Sequence, residues 1–397
     1  MNKKIKVFEV FAGIGSQFKA LKNIEKSLDI EVESLGLIEW YLDAIISYQK
    51  IHLYKSKKVN VSRELMLSQL QFLTLSKDSK SPVSKNYFMK QNEEKLNNYY
   101  QYLLPFINTI TNPNQDKKFY TDINKVQIIP KDIDIFTYSF PCQDLSQQGN
   151  QLGIQDNTRS GLLLQVKRIL KQNQDRLPKT LLMENVKSLT NKKFMSQFED
   201  WIKFLETLGY NSSWKVLNST DFGSSQNRER VFMVSKLNNK PFKWPLKIKH
   251  NNDLSRILES NFQPTAQILE LTSKIKEKGI TEFKTTTNNI SKAFIKNWSN
   301  FNSENYIYNN KGFGPTLTAS GANSRLKFYF KNKDIFRYIN AYESFKYMGF
   351  SSKDVDKILE TNLVSENKII FMAGNSISVE VLEYIFKNLI LEIKEEF

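Results

Sequence analysis

Short apolar runs alternate with stretches of helical periodicity over most of the first 245 residues. Ile5 to Phe11 reads as a strand and Ala12-Gly13-Ile14-Gly15-Ser16 as a tight glycine turn. Gln17 to Leu28 then sets Phe18, Leu21, Ile24 and Leu28 on one helical face. A second strand, Leu35 to Ile38, ends in Glu39-Trp40. Helices follow at Arg63 to Leu75 and Glu93 to Ile110, joined by the polar segment Lys77 to Lys85. They read as a helical insertion, at about residues 51–119, between the second and third strands. The β-branched and aromatic run Ile133 to Phe140 is a strand stopped by Pro141, which has no N–H for a sheet ladder. The polar stretch Asp144 to Gly161, with three glycines, has the length and composition of a lid. A helix at Leu162 to Leu170, a strand at Thr180 to Met183 and a helix at Phe194 to Leu208 come next. Strands at Ser213 to Asn218 and Val231 to Ser235 close the series.

This alternation predicts an α/β protein with a doubly wound, mostly parallel sheet. Residues 1–245 form its main unit. The alternation fades past Trp244-Pro245, and the polar residues 246–334 read as a smaller, irregular domain. Residues 335–365 form a bridging segment. Residues 366–397, with the apolar helix Val379 to Ile393, return to the main unit.

Composition narrows the function. The chain has 397 residues, 40% hydrophobic and 13% aromatic, which is enough for a packed core. A net charge of +16 favours a polyanionic partner, nucleic acid ahead of an anionic membrane surface, although Lys- and Asn-rich drift accounts for part of it. A single cysteine rules out an internal disulfide and suits a reducing, cytoplasmic compartment. With only two histidines, no metal site is expected. No apolar run approaches about 18 residues, and the chain starts without a secretory segment, so a membrane span is not expected.

The candidate chemistry lies at strand ends, where open α/β sheets bind their ligands. Glycines at 13 and 15 let a ligand approach the backbone at a helix N-terminus. Glu39 can accept from ribose hydroxyls, Trp40 can stack on an adenine, and Asp122 can meet its amino group. Cys142 is alone in the chain; by itself it reads as a small buried hydrophobe. Its position after a central strand, one strand from Glu184-Asn185, reverses that reading. Gln226-Asn227-Arg228-Glu229-Arg230 adds a pair of cations.

Phe-Ala-Gly-Ile-Gly, Glu-Trp, Pro-Cys-Gln, Glu-Asn-Val, Gln-Asn-Arg-Glu-Arg and Gly-Asn-Ser, in that order, resemble the DNA (cytosine-5) methyltransferases. The likeness covers about 1–245 and 335–397, and the overall build is similar to small bacterial members that methylate CpG. It implies S-adenosylmethionine as cofactor, double-stranded DNA as partner and a monomer. Phe11, Gly13, Gly15, Glu39, Trp40, Asp122, Ile123, Leu162, Asn375 and Ser376 match its cofactor positions. Cys142 matches the nucleophile, Glu184 the acid that holds the base, and Arg228 and Arg230 the arginines beside the target cytosine. Arg228 is expected on the base carbonyl, and Asn185 on Glu184 or the neighbouring backbone. Residues 246–334 fall where the family keeps its target-recognition domain. Thr316, Thr318 and Arg325 are candidates there, and Ser146 and Arg159 are candidate phosphate contacts in the lid. The insertion is longer than small members carry, and the residues favour decoration of the fold over DNA contact.

Other readings stay open. A tRNA cytosine-5 methyltransferase of the same fold is the nearest rival, but the Cys-Phe-Thr signature of those relatives is absent. A Cys–His hydrolase using His52 or His250 leaves Glu39-Trp40 unexplained. A silent DNA-binding module leaves Pro-Cys-Gln and Glu-Asn-Val without a purpose.

Overall fold

The computed structural model describes residues 3–53, 61–141, 161–238 and 240–395. Seven strands make the main sheet: β1 (Lys3–Val10), β2 (Ile30–Ile38), β3 (Lys118–Tyr120), β4 (Ile135–Tyr138), β5 (Thr180–Val186), β6 (Asn211–Asn218) and β7 (Glu229–Lys236). Their order is β3-β2-β1-β4-β5-β7-β6. The first five are parallel, and β7 lies antiparallel to both β5 and β6. Chain order therefore reverses at β1, whose neighbours β2 and β4 lead away on opposite sides. The crevice beyond the strand C-termini at such a point is the ligand position of this architecture.

Helices cover both faces: α1 (Ser16–Ile24), α2 (Leu42–Tyr48), α3 (Arg63–Leu70), α4 (Glu93–Thr111), α5 (Leu162–Gln172), α6 (Lys192–Thr207), α7 (Ala266–Lys278), α8 (Ala341–Lys346), α9 (Ser352–Leu359), α10 (Glu366–Asn375) and α11 (Val379–Glu395). Ile5 and Val7 of β1 join a core with Phe18 of α1, Ile45 of α2, Phe106 of α4 and Phe386 of α11. Phe8 and Val10 join the opposite core, with Val166 of α5 and Trp201 of α6. Burial on both faces is why the central strands read as continuous apolar runs and not as alternation.

Several element ends differ from the sequence expectation. The helix expected over 63–75 stops at Leu70, because Leu73 to Ser76 leave it to hydrogen-bond with the loop after β2. Tertiary pairing outweighs local helical periodicity there. β2 begins at Ile30, earlier than Leu35, and β4 is shorter than the apolar run that marks it.

Residues 246–334 are less irregular than their composition suggests. A second sheet holds β8 (Lys284–Thr285), β9 (Ile290–Phe294), β10 (Tyr306–Gly312), β11 (Lys327–Phe330) and β12 (Ile335–Tyr338), in the order β12-β11-β10-β9-β8. Its strands are only two to seven residues long, and a polar residue interrupts or ends each, so none makes a long apolar run. The last strand passes the expected boundary at 334. Ile275 of α7, Ala293, Ile307 and Phe336 form a small core on one side. Tyr308, Phe328 and Phe330 join the large core that includes Phe345 and Phe350. The buried guanidinium of Arg337 ties β12 to α8 through both oxygens of Glu343, at 2.8 and 2.5 Å.

Behind the glycine turn, Glu9 of β1 is 1% exposed. The Tyr48 hydroxyl donates to its Oε2, and the Phe18 N–H bonds it from the first turn of α1. Burial outweighs these bonds and pushes its pKa up to about 7. A carboxyl raised in this way holds its proton more tightly folded than unfolded, so its effect on stability declines as pH rises from the unfolded value through 7. Urea unfolding of the wild type should thus lose stability across that window, with Glu9 contributing on the order of 3 kcal/mol. In Glu9→Gln the decline should be shallower; an unchanged slope would show that Glu9 does not titrate there.

Candidate active site

The turn after β1 backs onto packed side chains and opens forward. Phe11, Gly13 and Gly15 all have positive φ, at 57°, 56° and 80°. A Cβ on Gly15 would fall 2.6 Å from His52 Nε2 and 2.7 Å from the Tyr48 ring, so backbone angle and space both demand glycine. At Gly13 a Cβ would meet nothing within 4 Å. That open space lies on the ligand side.

Glu39 follows β2 and braces the turn. Its Oε2 accepts from the Gly13 N–H, and its Oε1 from the N–H groups of Trp40 and Tyr41, each at 2.8 Å. Burial raises its pKa, and these three N–H groups pull it back down. Oε2 keeps an acceptor position for a ligand hydroxyl. The Glu39 N–H donates to Tyr120 O at 3.0 Å, which joins the ends of β2 and β3. Asp122 just beyond β3 caps a short helical turn by accepting from Asn124 N at 3.0 Å, and Ile123 in that turn is buried. Phe11, Tyr120 and Leu162 pack half-buried against one core, and Trp40 against the other. The α10–α11 turn presents exposed Asn375 and buried Ser376, and Ile377 N reaches Ser16 Oγ at 3.4 Å. These positions have the character an adenosine-bearing cofactor needs: an open glycine turn, a buried acid and half-exposed apolar rings.

Cys142, Ser146 and Arg159, with all of the lid expected at 144–161 except Gly161, lie outside the described residues. The approach to Cys142 is described up to Pro141. Asn185 Nδ2 donates to Phe140 O at 3.0 Å, and its Oδ1 accepts from Val186 N at 2.8 Å. Of the two partners expected for Asn185, it therefore holds the backbone. Glu184 at the end of β5 is 8% exposed. Burial raises its pKa, opposed by the charges of Arg230 and Arg228 and a hydrogen bond from Ser139. Arg230 Nε stands 3.3 Å from Glu184 Oε1. Gln17 Nε2 donates to Ser139 Oγ at 3.1 Å, linking α1 to this cluster.

Arg228 does not occupy the place expected of it. Its Nη1 donates to Leu317 O at 2.8 Å, and its Nη2 to Ser376 O at 2.7 Å and Gly374 O at 3.3 Å. Arg230, in β7, pairs with Glu184, whereas Arg228 precedes the strand and its guanidinium is taken up by these three carbonyls, with its charge still felt at Glu184. Gln226 beside it was not singled out by sequence reasoning. It is fully buried, accepts from Leu317 N at 2.9 Å and donates to Tyr347 O at 3.0 Å. Ser139 and Gln17 were missed as well, although Ser139 stands within the Pro-Cys-Gln stretch. Only contacts made far along the chain distinguish them from ordinary polar residues.

The recognition candidates divide likewise. Thr316 Oγ1 donates to Asn227 O at 2.6 Å, so its hydroxyl is committed to the main unit. Thr318 Oγ1 bonds Ser320 O within an exposed loop, and the exposed Arg325 lies 5.3 Å over the Tyr338 ring. Neither histidine supports a hydrolase. Burial pushes the His52 pKa down to about 4 while its Nε2–H bonds Ile14 O; both ring nitrogens of His250 are engaged, by Thr220 O and Asn252 N.

Removing the Arg228 guanidinium strands three carbonyls whose orphaning costs about 1–3 kcal/mol each. Arg228→Ala should therefore lower unfolding stability by at least about 3 kcal/mol in urea titrations. Arg230→Ala should leave stability within about 1 kcal/mol of wild type while abolishing turnover. Equal destabilisation by the two would contradict these placements.

The profile of the family described as C-5 cytosine-specific DNA methylase matches residues 79–391. The orphan methyltransferase M.SssI of Spiroplasma monobiae is 44% identical over 394 residues, covering 96% of each chain. The type II methyltransferase M2.ScrFI of Lactococcus lactis subsp. cremoris is 32% identical, covering 97% of this chain and 99% of its own. Among solved structures, the S. pombe Dnmt2 methyltransferase shares the fold, with a TM-score of 0.58 at 16% identity over 98% of this chain and 99% of its own. With a profile match over most of its length and such relatives along nearly all of it, the chain belongs to the C-5 cytosine-specific DNA methylases and is a DNA (cytosine-5) methyltransferase.

Proposed function

We propose that the protein methylates cytosine in double-stranded DNA at CpG sites, using S-adenosylmethionine and a covalent bond from Cys142 to the base. The observation that carries the reading is the buried carboxyl of Glu184, paired with Arg230 at the end of the strand next to the one that leads to Cys142. CpG rests on the likeness in build to small bacterial members.

Carbon 5 of cytosine is a weak nucleophile. Addition of the Cys142 thiolate to carbon 6 makes the ring enamine-like, provided that ring nitrogen 3 gains a proton or a strong hydrogen bond. Glu184 supplies this, because burial favours its protonated form. Arg230, on the same side, restrains the rise in its pKa and is placed to meet the base carbonyl. Glu39 and the turn at Gly13 and Gly15, with Trp40, Asp122, Ile123, Leu162, Asn375 and Ser376 around it, would hold S-adenosylmethionine, which would supply an electrophilic methyl group to carbon 5 and depart as S-adenosylhomocysteine. Loss of the carbon-5 proton then expels the thiolate and restores Cys142. The target must leave the duplex stack, at a cost of a few kcal/mol. Lid residues Ser146 and Arg159 and the recognition residues Thr318 and Arg325 are the candidate DNA contacts; Thr316 supports them through the backbone.

A fluorine at carbon 5 cannot leave as a proton, so duplexes containing 5-fluorocytosine should trap a denaturation-resistant adduct in the presence of the cofactor. Cys142→Ser should form none, since a serine hydroxyl is scarcely ionised. An adduct in that variant, or on another residue by mass spectrometry, would remove Cys142 from the reaction. Mapping every methylated cytosine on a plasmid tests the site: a recurrent target other than CpG would overturn that part.

The Glu184 proton gives a second handle. Its raised pKa keeps the proton to higher pH than in a free carboxyl, and turnover that needs it should fall as pH rises through the folded-state value. Glu184→Gln should lower single-turnover rates by about 10²-fold or more and lose that alkaline limb. A variant with the wild-type rate and pH profile would exclude Glu184 as proton holder.

A further inference from the structure

The sequence offered no firm role for the insertion at 51–119, and its conspicuous tyrosines, Tyr99, Tyr100 and Tyr102, turn out to be buried core residues. One stretch of it behaves differently. Leu73 to Ser76 leave α3 in extended form and run between the loop after β2 and the loop after β3. Ser76 N donates to Trp40 O, and Leu42 N donates to Ser76 O, both at 2.8 Å, an isolated parallel bridge around Tyr41. On the other side, Thr74 N donates to Thr121 Oγ1 at 3.2 Å, and Lys125 Nζ reaches Thr74 Oγ1 at 3.1 Å. Leu75 and Ser76 are buried, and Lys77 is paired with the buried Asp43 on α2. A cavity of about 390 Å³ between the insertion and β3 is bordered by Phe72, Leu73, Thr121 and Asp122.

We infer that this stretch is a clasp that completes the adenosine end of the cofactor site, with Thr121 and Thr74 as positioning residues. The inference rests on the cofactor reading above. Its physical basis is that Glu39-Trp40 and Asp122-Ile123 sit on separate loops, each leaving a different strand. Neither loop can hold a ligand geometry better than its own backbone is held. The clasp hydrogen-bonds to both loops at once, beside the acid–aromatic pair and one residue before Asp122. It therefore fixes their separation. Ligand binding that requires this spacing is stronger because less order remains to be imposed. The clasp acts through the loops, and no contact between its own side chains and the cofactor is needed.

The test measures binding of S-adenosylhomocysteine by calorimetry without DNA, together with hydrogen exchange at residues 39–42 and 121–125. Thr121→Val keeps the side-chain shape and removes the acceptor of Thr74 N–H; it should weaken binding roughly three- to tenfold, the worth of one such hydrogen bond. Ser76→Pro, which deletes the donor to Trp40 O, should weaken it further, with faster exchange in both loops. Tyr100→Phe breaks a hydrogen bond to Gln69 elsewhere in the insertion and should leave affinity unchanged. Duplex DNA affinity should be equal in all three, and kcat at saturating cofactor should change far less than KM. Unchanged affinity in Thr121→Val, or an equal loss in Tyr100→Phe, overturns the clasp. Should Ser76→Pro fail to fold, Thr121→Val decides alone. Glu39→Ala separates the two levels: if it binds like wild type, the site reading itself falls. If it weakens binding while the clasp variants do not, only the clasp is lost.

Discussion

The buried guanidinium of Arg228 holds together three parts of the chain that are far apart in sequence. It donates to the carbonyls of Leu317 and, in the turn between α10 and α11, of Gly374 and Ser376, from the edge of a strand of the main sheet. Gln226 repeats the connection two residues earlier, between Leu317 and Tyr347. The Asn227 N–H reaches Gly314 O, and Thr316 returns a bond to Asn227 O. Burying such groups without bonds is costly, so these bonds hold the segments in a fixed arrangement. Gly374 tightens it further. A Cβ there would sit 2.3 Å from the backbone of Thr318 and Ala319, so the two segments meet at a distance that only glycine permits.

That fixed junction explains how one strand can serve two purposes. Arg228, just before β7, is spent on the junction, while Arg230, inside the strand, pairs with Glu184. The cation beside Glu184 is thereby carried on the strand whose leading residues bond the segment at Gly314 to Leu317. Burial raises the Glu184 pKa, and the charges of Arg230 and Arg228 restrain the rise. The carboxyl is left able to hold a proton and still respond to the charge of a bound base.

Much of this was legible beforehand, for identifiable reasons. The parallel strands are buried on both faces and announce themselves as apolar runs; the glycine turn and Glu39 lie close together in sequence and depend on local geometry. What escaped depended on contacts between distant residues. Nothing local distinguishes Arg228 from Arg230, and only their partners, the distant carbonyls for one and Glu184 for the other, tell them apart. The stretch from Gln71 to Leu75 looks helical because the partner that pulls the chain straight, the loop at Trp40 to Leu42, lies in a distant part of the sequence. The second sheet was hidden by its short strands, since apolar stretches of a few residues set among polar loops leave a weak hydrophobic signature.

The packing of α11 has a bearing on how the molecule comes into being. α11 lies along α1, with Asn23 bonded to Glu383, Lys3 reaching Ile393 O and Lys394 reaching Leu28 O. A helix made early by the ribosome thus waits for one made much later before its apolar face is covered. Until then the nascent main sheet carries an open flank, and the helix after its glycine turn lacks the support of Ile377 on Ser16. Synthesis should accordingly yield no competent intermediate that methylates DNA early; the enzyme switches on only once α11 has left the ribosome and docked.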